Sequence, residues 1–151
     1  MRKKTLIAAV VGALAAGAMV GGATVALAQA DVIKQRQDNR KETAATMRSI
    51  KGVIDSKGDV KSVVASAAKL KELELAFDKL FPAGSDKDSK ALPTVWSDMP
   101  GFLAASKNAD AAYDKLAVAA GSGDLAAVTA AFGDTGKACG ACHDKFRAKA
   151  N

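Results

Sequence analysis

All three prolines of this 151-residue chain, Pro82, Pro93 and Pro100, fall between positions 82 and 100. On both sides of that window the chain is free of the one residue that breaks helices outright. The flanks are rich in Ala, and aromatics make up only 5% of the chain. That composition favours helices over a β-sandwich.

Hydrophobic spacing divides the flanks into helices. Ile33, Thr43, Ala44, Met47, Ile50 and Ile54 recur at three-four spacing, which predicts a helix over about 31–56. Ser56-Lys57-Gly58-Asp59 reads as a turn, with Asp59 as N-cap. A second helix is expected over about 60–81, with Val63, Val64, Ala67, Leu70, Leu73, Phe77 and Leu80 on its apolar face and Pro82 as its stop. A polar loop to about Ser97 follows, long enough to suggest a functional job. Pro100 suits the first turn of a third helix, which reaches about Ala120 and buries Phe102, Leu103, Ala105, Ala109, Ala112, Tyr113, Leu116 and Ala119. After the Gly121–Asp124 turn, a last helix runs from Leu125 to near the end. Gly133, Gly136 and Gly140 lie inside it, where Gly costs helix stability but permits close approach to the backbone. Four helices joined by two short turns and one long loop predict an all-α, antiparallel four-helix bundle.

The first thirty residues read as an address. Arg2, Lys3 and Lys4 precede an apolar stretch from Leu6 to about Val20, and Ala26-Leu27-Ala28 and Ala28-Gln29-Ala30 both offer small-x-small cleavage sites. This is the pattern of a secretory signal peptide. Residues 1–30 are expected to be removed, leaving 31–151 as a single exported domain in the periplasm with no membrane segment. Gly12, Gly17, Gly21 and Gly22 interrupt the apolar run and argue against a membrane anchor.

Charge narrows the partners. The chain has 22 bases and 16 acids; without Arg2, Lys3 and Lys4 the balance is 19 against 16. So small an excess, with no long run of one sign and few aromatics for stacking, gives no reason to expect nucleic acid. The lysines of the second and third helices read as a solvated face, with a docking patch for an acidic redox partner as the alternative.

The chemistry concentrates in Cys139-Gly140-Ala141-Cys142-His143. On a helix these three side chains sit at i, i+3 and i+4, one face within one turn. That spacing suits a haem attached through two vinyl groups, with the adjoining imidazole on the iron. A thioredoxin-like pair lacks its βαβ context, structural zinc lacks a fourth ligand, and a plain disulfide leaves the His without a role. The chain has two Cys and one His, so one haem c per chain is expected, and no second imidazole can ligate it. A sixth ligand, if any, comes from Met47, Met99, a Lys or water. Met47 reads first as core and Met99 as a local contact beside Pro100.

With these residues in place, the chain resembles cytochrome c′, the class II c-type cytochromes. The resemblance rests on the C-terminal Cys139-x-x-Cys142-His143-x-x-Phe146-Arg147, on Arg36-Gln37, on Phe81-Pro82-Ala83-Gly84-Ser85 and on Leu92-Pro93-x-x-Trp96. It implies a four-helix bundle, usually a homodimer, around a covalent haem with His143 as proximal ligand. The sixth position is commonly vacant and faces an apolar pocket that binds NO and CO. By resemblance, Arg147 is the proximal-side arginine and Arg36 the first-helix arginine at the haem edge, suited to a propionate. Trp96 joins the cofactor-side residues through its motif, although as an aromatic it reads first as core.

One position departs from the pattern. Four residues after Arg36, where the family usually has Leu, Phe, Met or Tyr on the distal face, this chain has Arg40. Arg40 falls on the apolar stripe of the first helix. It either turns outward to a propionate or to Asp38 or Glu42, the favoured reading, or donates a hydrogen bond to a ligand on the iron. The functional expectation is a gas-binding monohaem protein, not an enzyme, because no distal His exists to act as a base. The alternative is a low-spin electron carrier with a Met sixth ligand.

Overall fold

In the computed structural model residues 20–149 are described, with side chains from Gln29 onward. Helix α1 spans Val20–Asp55, α2 Val63–Phe77, α3 Thr94–Ser97, α4 Met99–Ser122 and α5 Leu125–Phe146. The four long helices form the expected antiparallel bundle. α4 packs along both α2 and α5, α1 packs chiefly on α2, and α1 touches α5 only sparsely. Among the described residues no helix is long and apolar enough to cross a membrane. Residues 1–19 of the expected leader lie outside the described residues; from Val20 the backbone is continuous with α1.

Local chemistry sets the ends. Asp59 caps a 3₁₀ turn, Val60–Ser62, by accepting the Lys61 N–H at 2.9 Å, and α2 follows directly. Asp98 and Asp124 cap α4 and α5 by accepting from Gly101 N and Ala126 N. Gly123 closes α4 at φ 77°, a left-handed position that a Cβ disfavours. The long loop after α2 differs from expectation in one respect. It contains the single turn α3, which carries buried Val95 and delivers the chain to α4.

The core is split. One cluster fills the end of the bundle that holds the α1–α2 turn, with Ile50, Val63, Leu70, Tyr113, Leu116 and Val128 at its centre and Met47 packed against it. The other, Phe81, Val95, Phe102 and Phe146, gathers Phe77, Trp96, Met99 and Cys142 around it. Both methionines thus sit on apolar clusters, Met47 in keeping with its helical spacing and Met99 as a hydrophobic contact beside Pro100. Two expected core residues are at the margin instead: Val64 and Leu103 remain 39% and 40% exposed. Each follows a fully committed core position, Val63 and Phe102, and one residue's step of about 100° turns it off the buried stripe.

Candidate functional site

The C-terminal half of α5 carries Cys139, Cys142 and His143 at the predicted helical spacing. The thiols are free and half-buried, whereas His143 is exposed. Cys142 packs on the aromatic cluster, and Cys139 Sγ lies 3.9 Å from the hydroxyl of buried Tyr113. Burial pushes both thiols up, Cys142 to about 11, and pushes the Tyr113 hydroxyl well above its usual range. His143 is held below its ordinary value, first by partial desolvation of its ring against the bundle and then by the charges of Arg147 and Arg40. That direction favours the neutral ring, the form that binds a metal.

Arg147 ends α5 in extended backbone, its N–H donating to the His143 carbonyl at 3.1 Å. Its Nη1 stands 3.4 Å from His143 Nδ1. One helical turn therefore does bring the two side chains together. The same segment is tied to the α2–α3 loop. Arg147 and Ala91 form an antiparallel bridge, with Leu92 N donating to Phe146 O and Ala148 N to Lys90 O. Thr94 Oγ1 adds a bond to the Lys145 carbonyl and Lys145 Nζ one to Asp98.

Arg36 is buried at 5% exposure, and its guanidinium organises that loop. Nε donates to Leu80 O, Nη1 to Ser85 O and Ser89 Oγ, and Nη2 to Ser85 Oγ. It stacks on Phe81, 4.2 Å from the ring centre, with Trp96 at 5.4 Å. Of its five N–H donors these contacts leave one, at Nη2, for the propionate that the sequence assigned to it. Trp96 stacks on Phe81 and donates its indole N–H to Pro82 O, so its contacts are those of a core aromatic.

Arg40 is turned inward, against the favoured sequence reading. Nη1 pairs with Glu74 Oε2 at 2.8 Å, Nε donates to Asn39 Oδ1, and the guanidinium lies 3.5 Å above the Phe77 ring. The expected acids are engaged elsewhere, Asp38 by Lys34 and Lys41 and Glu42 by Lys69. Glu74 is the residue that sequence reasoning missed. It is 5% exposed, and its Oε1 accepts from buried Ser106. Its position was readable, because 67, 70, 74 and 77 share one helical stripe. Burial raises the neighbouring Asp78 and Asp110 above the usual carboxylate range.

These residues fit a haem. Two thiols and an imidazole share one face of α5 where α1 stands off it, and an apolar cluster borders that face. Arg40 Nη2 is buried without a hydrogen-bond partner among the described residues, a donor free to meet an acceptor on a bound group.

Comparison with known proteins agrees. Residues 31–147 match the family model for cytochrome C'. The cytochrome c' of Rubrivivax gelatinosus is 39% identical over 127 residues, covering 79% of this chain and 95% of its own. Two solved structures of Alcaligenes xylosoxidans cytochrome c prime variants superpose with a TM-score of 0.73. One, a nitric oxide complex, is 31% identical and spans 81% of this chain and 97% of its own. The other, with carbon monoxide bound, is 32% identical and spans 80% and 97%. The chain belongs to the cytochrome c′ family, helical bundles of the c-type cytochromes that carry covalently bound haem c.

Proposed function

We propose that this chain is an exported, periplasmic monohaem protein whose iron, ligated by His143 on one side, is five-coordinate and takes NO or CO on the other. In this reading Cys139 and Cys142 hold the haem by thioethers and Arg147 orients the His143 ring. The bound haem supplies an iron centre for a diatomic ligand and for one-electron change. The observation that carries the proposal is the absence of a second strong ligand. His143 is the only histidine, and Met47 and Met99 are packed on apolar clusters at opposite ends of the core.

Related structures of this family hold NO and CO, which supports the same ligands here. The basic and apolar segments of residues 1–20, followed by small residues at Ala26, Ala28 and Ala30, support export and cleavage. The test is the ferrous visible spectrum. A high-spin form that shifts when CO is added agrees with the proposal. A low-spin form indifferent to CO contradicts it and favours a Met-ligated electron carrier.

A further inference from the structure

Arg40 stands where the bundle interior faces the haem motif. It lies on α1, across the sparse α1–α5 contact, 3.5 Å above the ring of Phe77, which packs in the same aromatic cluster as Cys142. His143 occupies the exposed flank of α5 beside Arg147. A haem held by His143 and the two thiols would have the side chains of α1 and α2, Arg40 and Glu74 among them, to line its remaining ligand position from the bundle interior. The guanidinium is fixed on three sides, by Glu74 at Nη1, by Asn39 at Nε and by the Phe77 ring beneath it. Glu74 is itself positioned by Ser106. The ion pair compensates the buried Glu74 carboxylate and the half-buried guanidinium, which makes an inward arginine tolerable. What it leaves over is the Nη2 amine, buried and without a partner among the described residues.

We propose that Arg40 Nη2 is the ligand-discriminating donor of this protein, and that it makes the ferric iron a site for small anions such as azide. This rests on the five-coordinate, His143-ligated reading above. A ligand that carries negative charge at its outer atoms accepts a charge-assisted hydrogen bond from Nη2. Carbon monoxide, nearly apolar, gains almost nothing from it. The Arg40–Glu74 pair therefore sets selectivity between ligand classes, whereas an aliphatic side chain there would not distinguish them by charge.

The experiment titrates the intact haem-loaded protein with azide in the ferric state and with CO in the ferrous state. Wild type is compared with Arg40→Leu and with Arg40→Gln, which keeps an N–H donor but drops the charge. The expected result is azide binding in the wild type, weakened roughly tenfold or more in Arg40→Leu and less in Arg40→Gln, with CO affinity not weakened in either. Should Arg40→Leu fail to accumulate with haem, azide loss without CO loss in Arg40→Gln carries the same conclusion. Azide affinity unchanged by substitution, or azide and CO weakened by the same factor, overturns the proposal. A wild type that takes CO but not azide overturns this inference alone. A wild type that takes neither overturns it together with the gas-binding reading.

Discussion

Arg36 Nη1 donates to the carbonyl of Ser85 at 2.7 Å, joining the first helix to a loop 49 positions further along the chain. Around this bond the loop that follows α2 is folded back over the aromatic cluster and onto the end of α5. The buried guanidinium therefore closes the loop from the α1 side, while the bonds to the end of α5 hold it from the other.

Truncation there should be costly. Arg36→Ala leaves the Leu80 and Ser85 carbonyls and the Ser85 hydroxyl short of donors in a buried place. The expected loss is about 3 kcal/mol in chemical unfolding of the haem-loaded protein. Arg36→Lys should recover little, because a single ammonium cannot replace a planar fork reaching four backbone and hydroxyl acceptors. Amide exchange over residues 82–92 should accelerate in both variants.

The sequence made much of this architecture legible, and the exceptions have physical causes. The four long helices follow from three-four spacing bounded by Asp59, Pro82, Pro100, Gly123 and Asp124, all local signals. The Cys139, Cys142, His143 face is equally local, being one turn of helix. Arg36's role was hidden because its acceptors are 44 to 53 residues away. The acids nearest Arg40 in sequence, Asp38 and Glu42, stand two residues to either side. On a helix such residues do not face each other, whereas Glu74 faces Arg40 from the next helix. The turn α3 escaped because four residues carry no periodicity.

Acid–base behaviour gives a second prediction. Asp110 sits above the usual carboxylate range because of burial, then because of Glu74 and Asp78 nearby. A carboxyl raised in the folded state holds its proton longer there than in the unfolded chain. Stability is therefore lost as pH rises from the ordinary Asp range through the raised value, and the penalty persists above it. Asp110→Asn removes that penalty. The melting temperature of the variant should exceed that of wild type at pH 7, and the gain should shrink toward pH 3. A gain independent of pH would point to packing and not to charge.

Two glycines should respond to the same substitution with opposite signs. Gly123 holds φ 77°, so Gly123→Ala should cost about 1 kcal/mol. Gly133 lies within α5, is exposed, and a Cβ there meets nothing within 4 Å. Gly133→Ala should therefore stabilise by up to about 1 kcal/mol. Paired denaturant titrations of the two variants check both.

Tyr113 separates size from polarity. Tyr113 is 1% exposed in the core, and among the described residues its hydroxyl has one hydrogen-bond partner, the sulfur of Cys139 at 3.9 Å. Tyr113→Phe should cost less than about 1 kcal/mol, since a contact to sulfur is weak. Tyr113→Ala should cost about 3–5 kcal/mol, in line with the cavity left by an aromatic ring. Equal losses in the two variants would place the stabilisation in the hydroxyl.

The most direct measurement concerns the bond between cofactor and chain. The protein, isolated after export, is precipitated in acidified acetone and the pellet is read as its pyridine haemochrome. If Cys139 and Cys142 carry thioethers, the pigment stays with the polypeptide, its spectrum is that of a haem with both vinyl groups saturated, and the ratio is one haem per chain. The double variant Cys139→Ala/Cys142→Ala then loses the pigment. Colourless wild-type protein, or a pigment that leaves with the acetone, would contradict the account.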